Sequence, residues 1–180
     1  MEIYKNLIIV AGSGRNVGKT EFACRLIRRL SSQIDLYGLK VSAIHPDEGI
    51  YHGDHAGLDV AAGPIEETRQ DLAKDTSRML QAGASRVFYL QGDDRQLAAG
   101  FQTVLTTVPA GSAIVCESSS LWQFVEPGLL ILVTAPGCQI KPRARAILTR
   151  GPAIVESDGA GGFAEIERIR FSAADGWSLV

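Results

Sequence analysis

Apolar residues follow two alternating rhythms along this chain. Short unbroken runs, Leu7-Ile8-Ile9-Val10 and Ala113-Ile114-Val115-Cys116 among them, give way to stretches in which apolar positions recur every three or four residues. The first rhythm predicts buried strands and the second amphipathic helices. Strands are expected at Asn6–Ala11, Asp35–Ser42, Arg86–Leu90, Ala113–Cys116 and Leu129–Val133, with a short one at Ala153–Val155. A helix is expected over Lys19–Leu30, where Phe22, Ala23, Leu26, Ile27 and Leu30 share one face. Others are expected over Asp75–Ala82, with Asp75 and Thr76 as cap candidates and Gly83 as a stop, over Arg95–Thr107, closed by Pro109, and over Lys141–Leu148. Residues 43–71 are polar, hold all the histidines, and read as a long loop or small excursion. The glycine cluster Gly159–Gly162 reads as a turn, and the tail beyond it has no clear period.

Strands alternating with helices imply an α/β fold: a mostly parallel, doubly wound sheet between two helix layers, with right-handed crossovers. Ligands of such sheets bind at the carboxyl ends of the strands. The segment Gly12–Thr20, Lys40, Glu117 and Thr134 all fall at such ends, which argues for one shared site. One domain accommodates all 180 residues.

The opening strand runs directly into Gly12-Ser13-Gly14-Arg15-Asn16-Val17-Gly18-Lys19-Thr20 and then into the first helix. Strand, glycine-rich turn and helix is the context of a phosphate-binding P-loop. Glycines let the backbone wrap a polyphosphate with its N–H groups turned inward, and the helix start adds its own donors and positive dipole end. Lys19 is then placed to neutralise β/γ oxygens and the Thr20 hydroxyl to ligate Mg²⁺. Ser13 stands where the strict pattern has its first glycine, and glycines flank it.

Glu117 follows an apolar strand, the position of a Walker-B-type carboxylate on Mg²⁺; a helix-cap acid or a solvent-facing acid at a strand end is the plainer alternative. Lys40 either reaches a phosphate or anionic substrate or is a solvated strand-end lysine. Asp75 is an N-cap or faces the metal across the site. His45, His52 and His55 read as solvated or substrate-binding, because no pair has the helical spacing of a zinc motif and no cysteine is near. Arg143 and Arg145 read as surface charge.

Composition narrows the rest. Apolar residues make up 46% and charged residues 21%, as in ordinary globular proteins. A net charge of −2 argues against a broad nucleic-acid surface. No apolar run approaches the roughly 20 residues that cross a bilayer, and no signal peptide is expected. Cys24, Cys116 and Cys138, widely spaced and odd in number, fit reduced thiols of a cytoplasmic protein.

With these residues in place, the chain resembles the MobB-type P-loop NTPases, the molybdopterin-guanine dinucleotide biosynthesis accessory protein B family. The likeness rests on the strand–loop–helix opening with Gly18-Lys19-Thr20, on Lys40 ending the second strand before a His-containing loop, and on Lys74–Leu90 (KDTSRMLQAGASRVFYL), similar to the family's G-x-D-S/T-x-R-x-x-x-AGA stretch. It covers about two-thirds of the chain, through Glu117. The resemblance implies a three-layer P-loop NTPase fold and Mg²⁺-dependent binding and slow hydrolysis of GTP or ATP. It also implies an accessory role beside a molybdopterin nucleotidyltransferase, and a homodimer. Ser118 follows Glu117 where the family has glycine, and Val41 follows Lys40 where it has histidine.

The same parts are similar to the dethiobiotin-synthetase and cobyrinate-amidase branch, whose loop is laid out like Gly12–Thr20. That likeness implies Thr20, Asp75 and Glu117 as Mg²⁺ ligands, Lys19 and Lys40 as cations for phosphate and substrate, and ATP-dependent ligase or kinase chemistry. A nucleotide-gated binding module without turnover is a third reading. The signature lysine of MinD-like dimeric ATPases would stand at Gly14 and is absent. No N-K-x-D segment follows Leu129–Val133, so the base stays open between adenine and guanine.

Overall fold

The computed structural model describes residues 1–44, 63–140 and 142–180. Nine strands and four α-helices are found among them: β1 (Ile3–Gly12), α1 (Lys19–Leu30), β2 (Leu36–Ala43), β3 (Ile65–Glu67), α2 (Asp75–Gln81), β4 (Arg86–Gly92), α3 (Asp94–Thr107), β5 (Ala113–Glu117), β6 (Glu126–Thr134), α4 (Pro142–Leu148), β7 (Ala153–Glu156), β8 (Ile169–Ser172) and β9 (Gly176–Leu179). Seven strands form one sheet in the order β3-β4-β2-β5-β1-β6-β7, while β8 and β9 pair separately. Within the large sheet only β3 runs antiparallel, against β4.

Both faces of this sheet are covered, which explains the unbroken apolar runs. Successive residues of a strand point to opposite faces. In β1, Ile8 and Val10 meet Phe22, Leu26 and Ile27 of α1, in a layer that also holds Met79 of α2. Leu7, Ile9 and Ala11 point the other way, into a layer built from Leu97, Phe101 and Val104 of α3 and Ile147 of α4. The result is an α/β fold in three layers, with β1 and β5 at its centre. Among the described residues no helix is long and apolar enough to cross a membrane.

The expected helices and strands are all found, α1 with the expected ends and the others with one or both ends shifted by up to a few residues. β3 was not expected: it has three residues, two of them glutamates, too few to show a period. The periodless tail also folds. A 3-10 turn over Ala164–Arg168 leads into the β8–β9 hairpin, whose Trp177 is buried and donates its indole N–H to the Asn6 carbonyl at 2.8 Å. Phe163, just before that turn, packs edge-on against Phe22 with ring centroids 5.1 Å apart. The cap expectation at α2 needs correction. Lys74, not Asp75 or Thr76, occupies the N-cap position, and its side chain makes no capping bond. Thr76 instead donates to Glu67 at 2.7 Å, and Asp75 is engaged by Lys40.

Candidate functional site

The carboxyl edge of the central strands gathers the chain's chemistry. Gly12 is the last residue of β1, in register with Val133 of β6, and the Ser13 N–H extends that pairing by donating to the Val133 carbonyl at 2.9 Å. The chain then turns away through Gly14 to Gly18 and enters α1 at Lys19. Asn16 at φ +56° and Gly18 at φ +98° take the left-handed conformations that close so tight a turn. Gly12 is needed for a different reason. A Cβ there would lie 2.7 Å from Cδ of Lys19, whose stem folds back across the turn. The Lys19 ammonium reaches the Gly14 carbonyl at 3.2 Å. The glycine-rich segment is therefore a compact turn with its own lysine laid over it.

Two further contacts buttress this turn. The Phe163 ring lies where a Gly18 side chain would be, 3.1 Å from the position of its Cβ. Cys138, in the loop after β6, comes within 3.8 Å of the Ser13 hydroxyl. Neither was foreseen: both belong to segments whose spacing says nothing about the turn.

The helix start itself is open. Gly18 is the N-cap of α1 and offers no side-chain oxygen to the first-turn N–H groups. Helix α3 begins at the same edge of the sheet, after β4, but there Asp93 accepts from the N–H groups of Arg95 and Gln96, while Gln96 returns a bond to the Asp93 N–H.

Beside the turn lies a charged cluster set by strand register. Lys40 of β2 and Glu117 of β5 are direct partners on neighbouring parallel strands. Leu39 and Cys116, one residue earlier, point into the α3 layer, so Lys40 and Glu117 point to the α1 side. The Lys40 ammonium is 2.5 Å from Oε1 of Glu117 and 2.8 Å from Oδ2 of Asp75 at the start of α2. The Thr20 hydroxyl donates to the other Glu117 oxygen at 2.8 Å. Exposure falls from 39% at the Asp75 side chain to 19% at Lys40 and 2% at Glu117. Burial would lower the pKa of Lys40, but the charges of Glu117 and Asp75 outweigh it and hold the ammonium above its ordinary value. Burial likewise pushes the Asp75 carboxyl up, and the Lys40 charge, aided by the Lys40 hydrogen bond, brings it below its ordinary value.

Such a cluster is a poor device for stability alone, because desolvating buried charges costs about as much as their attraction returns. Its oxygens are chemically suited to a hard cation. The Thr20 hydroxyl and the carboxylates of Asp75 and Glu117 match the preference of Mg²⁺, which takes one or two carboxylates and leaves its remaining positions to water and phosphate. Among the described residues there is no group of three or more His, Cys, Asp and Glu side chains that would hold a metal unaided.

The positions singled out in the sequence thus meet at one edge: Gly12 through Thr20, Lys40, Asp75 and Glu117. Thr134 ends β6 at the same edge and accepts from the Ser157 N–H at 2.9 Å. His45, His52 and His55 lie outside the described residues, as does the Arg143 side chain, and Arg145 is exposed. A link that sequence reasoning missed joins α1 to α2. Glu21, next to Thr20, accepts from Arg78 at 2.7 Å and from Arg25 at 2.8 Å, and these bonds help hold its carboxyl below the ordinary range. Arg78 falls in the stretch that carries the family resemblance, yet nothing in its spacing points to Glu21. Ser118 is buried, and its hydroxyl accepts from the N–H groups of Ser120 and Leu121, so this serine caps the turn that follows β5. Burial pushes the Cys24 thiol up to about 11 and raises that of Cys116 further, so both are inert packing groups.

No protein-family model, curated protein or solved structure matches the chain. Its reading rests on this geometry.

Proposed function

We propose that this chain is a P-loop nucleoside-triphosphatase that binds Mg²⁺ with ATP or GTP and hydrolyses it slowly. The observation that carries the reading is the turn Gly12–Thr20: Lys19 is folded over Gly12, the α1 start lacks a side-chain cap, and Thr20 is bonded to a buried carboxylate. The backbone and first-turn N–H groups of this segment would hold the polyphosphate. Lys19 would exchange the Gly14 carbonyl for β/γ oxygens. Thr20, Glu117 and Asp75 would hold Mg²⁺, which supplies charge neutralisation on the transferred phosphoryl group. The chain's own part is to orient the phosphates, exclude water around Glu117 and keep Thr20 aimed.

By resemblance, the biological setting is a MobB-like accessory role, assisting nucleotide attachment to molybdopterin beside a nucleotidyltransferase, in the cytoplasm and as a homodimer. The joining of Lys40, Asp75, Thr20 and Glu117 favours a second reading, ATP-dependent ligase or kinase chemistry of the dethiobiotin-synthetase type, since a lysine beside the metal position suits an anionic second substrate.

Calorimetry of ATP and GTP with Mg²⁺ on the full chain tests the proposal. Saturable binding of at least one of them is expected; no detectable affinity for either refutes it. Phosphate release with and without small carboxylates separates the two readings: metabolite-independent release supports the first, metabolite-dependent turnover the second.

A further inference from the structure

Lys40 places a cation where the proposed function needs another one. Its ammonium bridges Glu117 and Asp75, and the Thr20 hydroxyl takes the second Glu117 oxygen. We infer that Lys40 is a tethered counter-ion: it holds the divalent-cation position between Asp75 and Glu117 in the nucleotide-free protein and withdraws when the cation enters. The inference rests on the nucleotide-binding reading, and it assigns Lys40 a role that reading leaves open.

Three observations carry it. First, Glu117 is almost wholly buried, and a buried carboxylate needs a compensating charge. Second, the ammonium contacts the same two carboxylates that would ligate the metal, so a divalent cation there would face a positive charge within bonding distance. The two cations are alternatives. Third, lysine suits the exchange. Its charge sits on a flexible four-carbon stem, and Lys40 lies near the end of β2 at the open edge of the sheet. Arginine's rigid fork could not vacate the position so readily.

Two consequences follow. The metal binds weakly without nucleotide, because it must displace an ion pair. It binds well together with nucleotide, because the phosphates supply negative charge for both the metal and the released ammonium. Lys40 thereby contributes to the coupling between metal and nucleotide, a coupling felt equally by each.

The test uses the full chain without nucleotide and Mn²⁺ as the probe, its bound fraction read from loss of the free-ion electron paramagnetic resonance signal. Lys40→Met, checked for cooperative melting, is expected to bind Mn²⁺ roughly tenfold more tightly than the unaltered chain. Adding Glu117→Gln to it should return the affinity to the starting value or below. Equal or weaker Mn²⁺ binding by folded Lys40→Met overturns the inference. A second measurement needs no variant. Acetylation of the Lys40 amine, followed by mass spectrometry, should speed up as Mn²⁺ alone is titrated in; an unchanged or slower rate with Mn²⁺ bound overturns it equally. Nucleotide calorimetry on the same samples keeps the two proposals apart. Normal Mg²⁺–nucleotide binding with unchanged Mn²⁺ affinity in Lys40→Met defeats the counter-ion alone. The expected Mn²⁺ result without nucleotide affinity defeats the triphosphatase reading alone.

Discussion

Helices α1 and α3 both begin at the carboxyl edge of the sheet, and they begin differently. Helix α3 closes on itself: Asp93 and Gln96 exchange bonds and leave its first turn satisfied. Helix α1 begins at Gly18 with no capping side chain, preceded by a glycine-rich turn and followed by Thr20, whose hydroxyl is committed to Glu117. A capping box is a local device worth about 1 kcal/mol, available to any sequence that places Asp or Ser ahead of Gln or Glu. A start that forgoes it leaves its first-turn donors without a side-chain partner at the cap. The same contrast extends to charge, since Glu117, the one charged side chain buried among the described residues, lies beside α1 and bonds Thr20, whereas Asp93 is exposed.

Substitutions can break this contrast from either side. Lys19→Ala should reduce Mg²⁺–nucleotide affinity by about 100-fold or more in calorimetry while the melting transition stays cooperative, because the ammonium that bonds the Gly14 carbonyl would meet phosphate in the complex. Retained tight binding would equate the two helix starts and remove the phosphate site. Glu117→Gln should lower turnover by roughly 10- to 100-fold, as loss of a metal-orienting carboxylate does, and phosphate release at fixed nucleotide checks it. Asp93→Ala should do the opposite of Lys19→Ala, costing about 1 kcal/mol in chemical denaturation with nucleotide affinity unchanged.

The smallest effect is that of pH. The Asp75 carboxyl lies below its ordinary value of 3.8, so its contribution to stability is present above that pH and is lost as pH falls through the lower folded value. The Lys40 ammonium lies above its ordinary value of 10.5, so its contribution is complete below that pH and is lost as pH rises through the higher folded value. Melting temperatures of Asp75→Asn and the unaltered chain should therefore differ by a constant amount across the neutral range and converge at the acid end. Asp75 is 39% exposed, which keeps the difference small.

The amphipathic period of Lys19–Leu30 fixed α1 to the residue, because Phe22, Leu26 and Ile27 have only one way to reach a core. The runs through β1 and β5 declared themselves as buried on both faces in the same way. The hairpin β8–β9 did not, because its ordering comes from Trp177 bonding to Asn6, a partner at the other end of the chain. Nor did Asp75, which sat in the sequence as a plausible cap and is drawn instead to Lys40. Local rules describe what a residue does for its own helix; they are silent when a charge from another strand offers a stronger bond.

The sequence by itself determined the three layers, the turn between β1 and α1 and the residue types that face it, since each follows from a period or from a spacing within one segment. Only the tertiary structure decided which of those residues share atoms. The parallel register of β2 on β5 set Lys40 beside Glu117 across a gap of 77 residues, and the packing of α2 carried Asp75 to the same ammonium. Distances across strands are fixed by hydrogen-bonded register and by close packing of the core, and neither is written in any short stretch of the chain.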